Sequence, residues 1–252
     1  MTSLRKLGTS DLEVFPLSLG GNVFGWTADE KDSFAVLDAY AAAGGNFVDT
    51  ADSYSAWVDG HTGGESETTI GWGSPPLERS REWGRAKARG NRADVVIATK
   101  VSRHPQYQGL SAANIKAAAD ASLTRLGTDY IDLYYTHFDK PEVPVEEIVT
   151  ALDELVKAGK VRAIAASNIT PERLKASLDF SDAEGPARYV ALQPHYNLVS
   201  RDTYEGPLQS LAAEYGLIAT VALAWLSAQS TVTAPIASAR TVSQLPPLLA
   251  SA

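Results

Sequence analysis

The sequence predicts an α/β fold, and three observations favour a (β/α)8 barrel. Short β-branched runs alternate with longer amphipathic patterns, which is typical of parallel βα units rather than of a β-sandwich. The chain has 252 residues, 44% of them hydrophobic, which suits one such barrel. The pattern alone also allows a doubly wound sheet, but no GxGxxG motif follows the first strand, so we favour the barrel.

The elements can be placed in order along the chain. An N-terminal hairpin is expected in LRKL…LEVF, and strands are expected near residues 17–20, 46–49, 95–100, 131–136, 161–166 and 189–193. The periodicity predicts helices over residues 30–43, 111–125, 145–158, 171–179 and 205–215. Ser111 and Gly127 are typical start and stop signals for the second of these helices.

Charge and composition exclude several classes of function. The net charge of −8 is unfavourable for nonspecific binding to nucleic acid or to an anionic membrane. Without cysteine there is no disulfide framework and no thiolate metal site, and the four histidines are too scattered to indicate metal ligands. The N-terminus has no apolar signal core and no run reaches about 18 apolar residues, so we expect a cytoplasmic protein.

Four polar residues lie at or just beyond the ends of three successive strand-like runs. Asp49 ends NFVD, Tyr54 follows it, Lys100 ends VVIATK and His137 ends IDLYYTH. Catalytic groups of a (β/α)8 barrel lie at the carboxyl ends of its strands, so we expect these four to meet. A lysine held by a carboxylate lowers the pKa of a neighbouring phenol, and a histidine can polarise a carbonyl. Singly, each residue is more typical of a turn, a surface or a core position.

Longer motifs resemble one family. They are LSLGGNVFGW (17–26), NFVDTADSY (46–54), VVIATKV (95–101), SLTRLGTDYIDLYYTH (122–137), ALDELVKAGKVRAIAASN (151–168) and ALQPHYNLVSRDTYEGPLQSLAAEYGL (191–217). In this order they are similar to aldo-keto reductases, NADPH-dependent carbonyl reductases built on a (β/α)8 (TIM) barrel. The resemblance implies that Tyr54 is the general acid, that Lys100 paired with Asp49 lowers its pKa, and that His137 orients the substrate carbonyl.

The resemblance also implies a set of cofactor contacts. Ser167, Asn168 and Gln193 match the residues that hold the nicotinamide carboxamide, while a C-terminal segment matches one that grips the adenosine end through Ser238, Arg240 and Gln244. Arg240 is a candidate partner for a 2′-phosphate, which would favour NADPH over NADH. The alternatives are ordinary strand-end hydrogen bonds and, for Arg240, a surface charge.

Aromatic residues near the expected catalytic face are candidates for substrate binding. Trp26 and Trp57 follow strands one and two, where aromatic walls suit hydrophobic carbonyl compounds, although both could instead serve packing. Residues 71–92 are longer than the corresponding link in the family. They could form a lid or partner surface, but we favour a surface insertion.

The chain departs from the family after strand seven. EYGLIATV runs almost directly into ALAWLSAQ, so the stacking aromatic and the pyrophosphate loop expected there are absent. This strand 7 to helix 8 region is either shortened by a real deletion or lacks a loop that the sequence omits, and we favour the omitted loop. After Gln244, Pro246 and Pro247 replace the usual acidic and Asn positions, and prolines are tolerated only in a helix's first turn.

These observations predict one aldo-keto reductase barrel over residues 1–252. We expect an enzyme that reduces an aldehyde or ketone to an alcohol by hydride transfer from NADPH, with a small-molecule carbonyl substrate and with neither nucleic acid nor membrane as a partner. Two alternatives stay open. One is a barrel with weakened cofactor binding that performs acid–base chemistry on a carbonyl; the other is a nucleotide-binding regulatory subunit.

Overall fold

The computed structural model describes residues 3–71, 92–197, 200–219 and 232–250. Its strands are β1 Arg5–Lys6, β2 Glu13–Val14, β3 Ser18–Gly20, β4 Phe47–Asp49, β5 Val96–Val101, β6 Arg103–His104, β7 Tyr107–Gln108, β8 Ile131–Thr136, β9 Val161–Ser167, β10 Tyr189–Gln193, β11 Ile218–Ala219 and β12 Ile236–Ala237. Its helices are α1 Glu30–Ala42, α2 Glu65–Ile70, α3 Ala112–Leu126, α4 Val145–Lys157, α5 Pro171–Glu184, α6 Pro207–Glu214 and α7 Leu245–Leu249.

Eight parallel strands form one sheet in the order β12-β3-β4-β5-β8-β9-β10-β11. Within this sheet, strands from β3 to β11 lie beside one another in their order along the chain, with only the separate pair β6 and β7 intervening in sequence between β5 and β8, and β12 pairs in parallel with β3. In a doubly wound sheet the order of the strands reverses near the middle of the sheet, whereas here the order runs in one direction and the last strand, β12, pairs with β3. This order is that of a (β/α)8 barrel, and the predicted fold class is confirmed.

Local signals set the ends of the helices much as the sequence predicts. The Ser111 hydroxyl accepts a hydrogen bond from the Asn114 backbone N–H at the start of α3, and Gly127 ends that helix in a left-handed conformation with φ 59°. Helix α5 runs to Glu184, beyond the predicted end at residue 179, because the first residue able to take a left-handed cap without strain is Gly185. The two prolines of α7 lie in its first turn, where their missing N–H groups break no helical bond.

The N-terminal hairpin, β1 and β2, packs against the hydrophobic interior of the sheet. Its turn approaches β10 so closely that a Cβ on Gly8, whose φ is 56°, would lie 2.2 Å from the Val190 carbonyl oxygen. Leu7 and Leu12 share one buried cluster with strand residues that include Val96 and Ala98. Ile97 belongs instead to the larger cluster between strands and helices, as the two-residue period of a strand requires.

A hairpin that the sequence analysis did not anticipate directly follows β5. Strands β6 and β7 pair antiparallel, with Arg103 opposite Gln108 and His104 opposite Tyr107. It begins at Ser102, which has a positive φ of 115°, an uncommon conformation for a residue other than glycine. This turn sends the chain away from the sheet and places Arg103 on an exposed edge beside the loop after β8.

Two expectations concern segments that are described only in part. The 71–92 segment and the ALAWLSAQ segment, which resembles the family's helix before strand eight, fall almost wholly on residues 72–91 and 220–231, which lie outside the described residues. The sequence itself is continuous through residues 217–232, so the shortened connection belongs to the chain and the expectation of an omitted loop is wrong. Across the described ranges, none of the helices combines the length and apolarity needed to cross a membrane.

Candidate active site

The structure brings Asp49, Tyr54, Lys100 and His137 together at the carboxyl ends of β4, β5 and β8. The Lys100 ammonium donates to Asp49 Oδ2 at 2.6 Å, to the Thr50 carbonyl oxygen at 2.8 Å and to Tyr54 Oη at 2.9 Å. The rings of Tyr54 and His137 meet edge to face with their centroids 6.0 Å apart. All three ammonium protons therefore have acceptors, and the phenol is placed between the lysine and the imidazole.

The strand register and the loop after β4 produce this convergence. Asp49 pairs with Ala98, and Lys100 pairs with Tyr135 on the next strand, which sets the three strand ends side by side. The loop then stays bonded to β5, because the Asp52 N–H donates to the Lys100 carbonyl oxygen at 3.2 Å. The Tyr54 N–H closes a turn onto Ala51 at 3.3 Å, which folds the phenol back over the lysine.

The electrostatics of Tyr54 differ from the sequence-based expectation. Burial raises the pKa of the Tyr54 phenol above its usual 10.0; the charge of Lys100 opposes this effect, and that of Asp49 adds to it. The expected lowering of this pKa by Lys100 is therefore present, but burial outweighs it and keeps the pKa of the phenol above its usual value. Burial disfavours the charge of Lys100, but Asp49 and Tyr54 outweigh it and raise the lysine's pKa above 10.5. The resulting site holds a charged lysine–carboxylate pair beside a neutral phenol.

His137 is held in its neutral form. Burial, followed by the positive charges of Lys100 and Arg103, lowers its pKa from 6.5 to about 2. Its backbone N–H donates to the Val101 carbonyl oxygen at 2.9 Å, and its carbonyl accepts from Asn168 Nδ2 at 2.8 Å. The buried Nδ1 atom has no hydrogen-bond partner among the described residues. A neutral imidazole in this place can donate one hydrogen bond without carrying charge.

Ser167, Asn168 and Gln193 form one connected group beside these residues. The Ser167 hydroxyl donates to the Gln193 carbonyl oxygen at 2.8 Å and accepts from Asn168 Nδ2 at 2.9 Å. Gln193 Nε2 donates to Asp49 Oδ1 at 2.9 Å, a link to the lysine–carboxylate pair that the sequence analysis did not foresee. Within the described ranges, Asn168 Oδ1 and Gln193 Oε1 accept no hydrogen bond from protein, so two amide oxygens stay available to a ligand.

A cavity of about 390 Å³ joins these groups. Its lining comprises Gly20, Asn22, Asp49, Tyr54, His137, Ser167, Asn168, Gln193, Pro194, His195, Tyr196, Asn197, Ile236 and Ser238. Ser238 lies in it, and its hydroxyl donates to Asn22 Oδ1. Arg240 and Gln244 do not line it; both are exposed, and the Arg240 backbone N–H donates to Gln244 Oε1 at 2.8 Å. Asn22 and His195 were missed, although both follow strand-like runs at the same end of the sheet.

Neither candidate tryptophan lines the 390 Å³ cavity, although one of them contacts Tyr54. Trp26 is 45% exposed and Trp57 is 55% exposed, and their rings meet edge to face at 5.5 Å between centroids. Trp57 also contacts Tyr54, with centroids 6.2 Å apart, and lines a second cavity of about 430 Å³ together with the phenol. Trp26 contacts Trp57 and is not among the residues that line this cavity.

Comparison with known proteins finds a matching family and several relatives. The sequence model of the Aldo/keto reductase family matches residues 16–217. An aldo-keto reductase of Fusarium vanettenii is 34% identical over 219 residues, which are 79% of this chain and 57% of that protein. Norsolorinic acid reductase B of Aspergillus parasiticus is 31% identical over 220 residues, 80% of this chain and 53% of its own length.

An aryl-alcohol dehydrogenase (NADP(+)) of Phanerodontia chrysosporium is 32% identical over 212 residues, which are 76% of this chain and 50% of that protein. The chain thus spans about half the length of these curated relatives. The family match covers strands β3 to β10 and the residues Asp49, Tyr54, Lys100, His137, Ser167, Asn168 and Gln193, but not β12 or Ser238. The chain belongs to the Aldo/keto reductase family.

Proposed function

We propose that this chain reduces an aldehyde or ketone to an alcohol with NADPH, and that Tyr54 is the general acid. The observation that carries the proposal is the hydrogen-bonded row in which Lys100 Nζ lies 2.6 Å from Asp49 Oδ2 and 2.9 Å from Tyr54 Oη. The phenol lies between two cavities, so its hydroxyl can meet a substrate on one side and a cofactor on the other. A buried ammonium at this distance stabilises the phenolate that remains after the proton leaves.

The residues near the 390 Å³ cavity suit the carboxamide of a nicotinamide ring. A carboxamide has two N–H donors and one carbonyl acceptor. Asn168 Oδ1 and Gln193 Oε1 offer two acceptors, and Gln193 Nε2 keeps a second hydrogen after its bond to Asp49. When bound, a reduced nicotinamide supplies the hydride that the substrate's carbonyl carbon receives.

Arg240 supports NADPH as the preferred cofactor. Its side chain is exposed and forms no ion pair within the part of the chain that the structure describes. The hydrogen bond from its backbone to Gln244 Oε1 fixes the segment that carries it. A guanidinium in such a position can bind a 2′-phosphate through two parallel hydrogen bonds, which NADH cannot use.

The chemical roles follow from the protonation states. Tyr54 keeps its proton because burial raises its pKa, so the phenol is ready to donate to the carbonyl oxygen, which becomes the alcohol hydroxyl. Lys100 stays charged and stabilises the developing phenolate, while Asp49 and Gln193 hold the lysine in place. Neutral His137 orients the carbonyl by donating a hydrogen bond, and it does not compete as a proton donor because its pKa is about 2.

The aromatic surroundings of Tyr54 favour an aromatic carbonyl compound. Trp57 contacts the phenol ring and Trp26 contacts Trp57, and aromatic side chains of this kind bind planar rings by stacking or edge contacts. One of the relatives is named as an aryl-alcohol dehydrogenase and another as a reductase of norsolorinic acid. We extend the aromatic preference that the first name implies to this chain.

The test is the rate of NADPH oxidation, followed at 340 nm with benzaldehyde as substrate, for the wild type and Tyr54→Phe. The variant should lose about 10²–10⁴-fold in turnover, because a general acid typically contributes that much. Tyr215→Phe is the matched control, since it removes a phenol that bonds only exposed groups on the helical side of the sheet. Undiminished turnover in Tyr54→Phe would show that another group delivers the proton.

A further inference from the structure

We propose that Arg103 makes this site selective for aromatic carbonyl compounds that carry an anionic group, such as a ring carboxylate. The inference rests on the proposed reductase function and adds a specificity to it. No motif of the sequence indicated Arg103, whose position is decided by the hairpin after β5.

The 430 Å³ cavity beside Tyr54 has the composition of a pocket for a flat ring. Its lining is Ser53, Tyr54, Ala56, Trp57, Arg103, His137 and Phe138. Phe138 is 37% exposed, and its ring lies 5.1 Å from that of His137 between centroids. The four rings therefore form a continuous row in which Trp57 contacts Tyr54, Tyr54 contacts His137, and His137 contacts Phe138. Large apolar side chains left open in this way are typical of a binding site.

Arg103 is fixed at the far end of this row of rings. Its guanidinium carbon lies 4.6 Å from the centroid of the Phe138 ring, which is within the range of a cation–π contact. The preceding Ser102 accepts a hydrogen bond from the Phe138 N–H at 3.2 Å through its hydroxyl. This bond joins the hairpin to the loop after β8, so the guanidinium and the ring are held together by backbone as well as by side-chain contact.

Arg103 is a cation without a carboxylate partner in the described ranges. The other positive group near the phenol, Lys100, is neutralised by Asp49 at 2.6 Å, and His137 is neutral. Among the residues that the structure describes, no Asp or Glu lines the 430 Å³ cavity. By contrast, Arg92, Arg125, Arg162, Arg173, Arg188 and Arg201 all form ion pairs with Asp or Glu. The described lining of the cavity thus carries one uncompensated positive charge, and the five N–H donors of the Arg103 guanidinium can bind an anion.

This arrangement selects both features of a substrate. A planar ring would lie among Trp57, Tyr54 and Phe138 with its carbonyl oxygen at the Tyr54 hydroxyl. A carboxylate on the same ring would take two parallel hydrogen bonds from the planar guanidinium, which its cation–π contact with Phe138 keeps beside the cavity. An uncharged substituent gains neither the charge nor the paired bonds. Selection for anionic aromatic carbonyls therefore needs no residue beyond those already in the cavity.

The experiment compares acids with their uncharged methyl esters. For wild type, Arg103→Gln and Arg103→Lys, kcat/KM is measured with NADPH for 3- and 4-carboxybenzaldehyde and for the matching methyl formylbenzoates. We expect the wild type to favour the acid of at least one isomer. The acid-to-ester ratio should fall about tenfold in Arg103→Gln, between the effect of an exposed ion pair and that of a desolvated charge-assisted bond. Arg103→Lys should keep part of the preference for the acid, because lysine retains the positive charge but cannot donate two parallel hydrogen bonds to one carboxylate.

Arg188→Gln is the matched control, since it removes an arginine that precedes β10 at the opposite end of the sheet, and its ratio should equal that of the wild type. A ratio in Arg103→Gln within twofold of the wild type would overturn the proposal. If Arg103→Gln does not fold, the wild type alone decides: a higher kcat/KM for both methyl esters than for the matching acids would overturn the proposal. If no aldehyde is turned over, the reductase function fails, and calorimetric binding of the acid and ester then decides whether Arg103 selects the anion.

Discussion

Removal of the Lys100 charge is expected to destabilise the fold as well as to abolish activity. The ammonium is fully buried and Asp49 is 2% exposed, so neither ion can turn to water if its partner is lost. Lys100→Met also leaves the Thr50 carbonyl oxygen without its 2.8 Å bond. Breaking one side of a buried ion pair typically costs about 3–5 kcal/mol, a large share of the total stability of a domain.

Asp49→Asn should be nearly as destabilising, because it leaves the ammonium buried without a counter-charge. The double variant removes both charges, so its free energy of unfolding should exceed the value expected from adding the two single losses by about 2 kcal/mol or more. The hydrogen bond from Gln193 Nε2 to Asp49 Oδ1 can persist with the asparagine carbonyl oxygen, which limits side effects of the second substitution.

The assay is urea unfolding monitored by circular dichroism for the wild type, both single variants and the double variant, with the slope m compared across all four. Lys175→Met is the control, since Lys175 pairs with Asp179 on the surface of α5, and its unfolding midpoint should stay close to that of the wild type. If the losses in free energy of unfolding are strictly additive in the double variant, the reasoning is refuted, because the two charges then do not interact across a contact from which water is excluded.

Two further predictions concern pH and the cofactor. In the unfolded chain His137 binds a proton below about pH 6.5, but in the folded chain only near pH 2, so its contribution to stability is complete above 6.5 and is lost as pH falls. Between pH 6.5 and pH 5 the free energy of unfolding should therefore fall by up to about 2 kcal/mol less in His137→Gln than in the wild type. If urea unfolding gives the same dependence of this free energy on pH for both proteins, the assignment to His137 is contradicted. Arg240→Ala should weaken NADPH much more than NADH in fluorescence titrations, whereas an equal loss for both would remove Arg240 from the role of 2′-phosphate ligand.

The sequence by itself determined the order and most boundaries of the elements, because the signals for them are local. Short β-branched runs indicated strands such as Ile131–Thr136, and caps such as Ser111 and Gly127 set the helix ends. It also allowed the four candidate catalytic residues to be grouped, since parallel strands bring their carboxyl ends to one edge. Their chemical roles stay proposals that the experiments above address.

Only the tertiary structure decided how these groups influence one another. The phenol's pKa depends on how burial balances against Lys100 and Asp49, and sequence spacing carries no information about burial. The bond from Gln193 to Asp49 joins residues 144 positions apart. Arg103 reaches the cavity because one positive φ at Ser102 turns the chain into a hairpin tied to Phe138. Local patterns fix where strands begin and end, whereas charge, solvent exclusion and neighbours are properties of the packed chain.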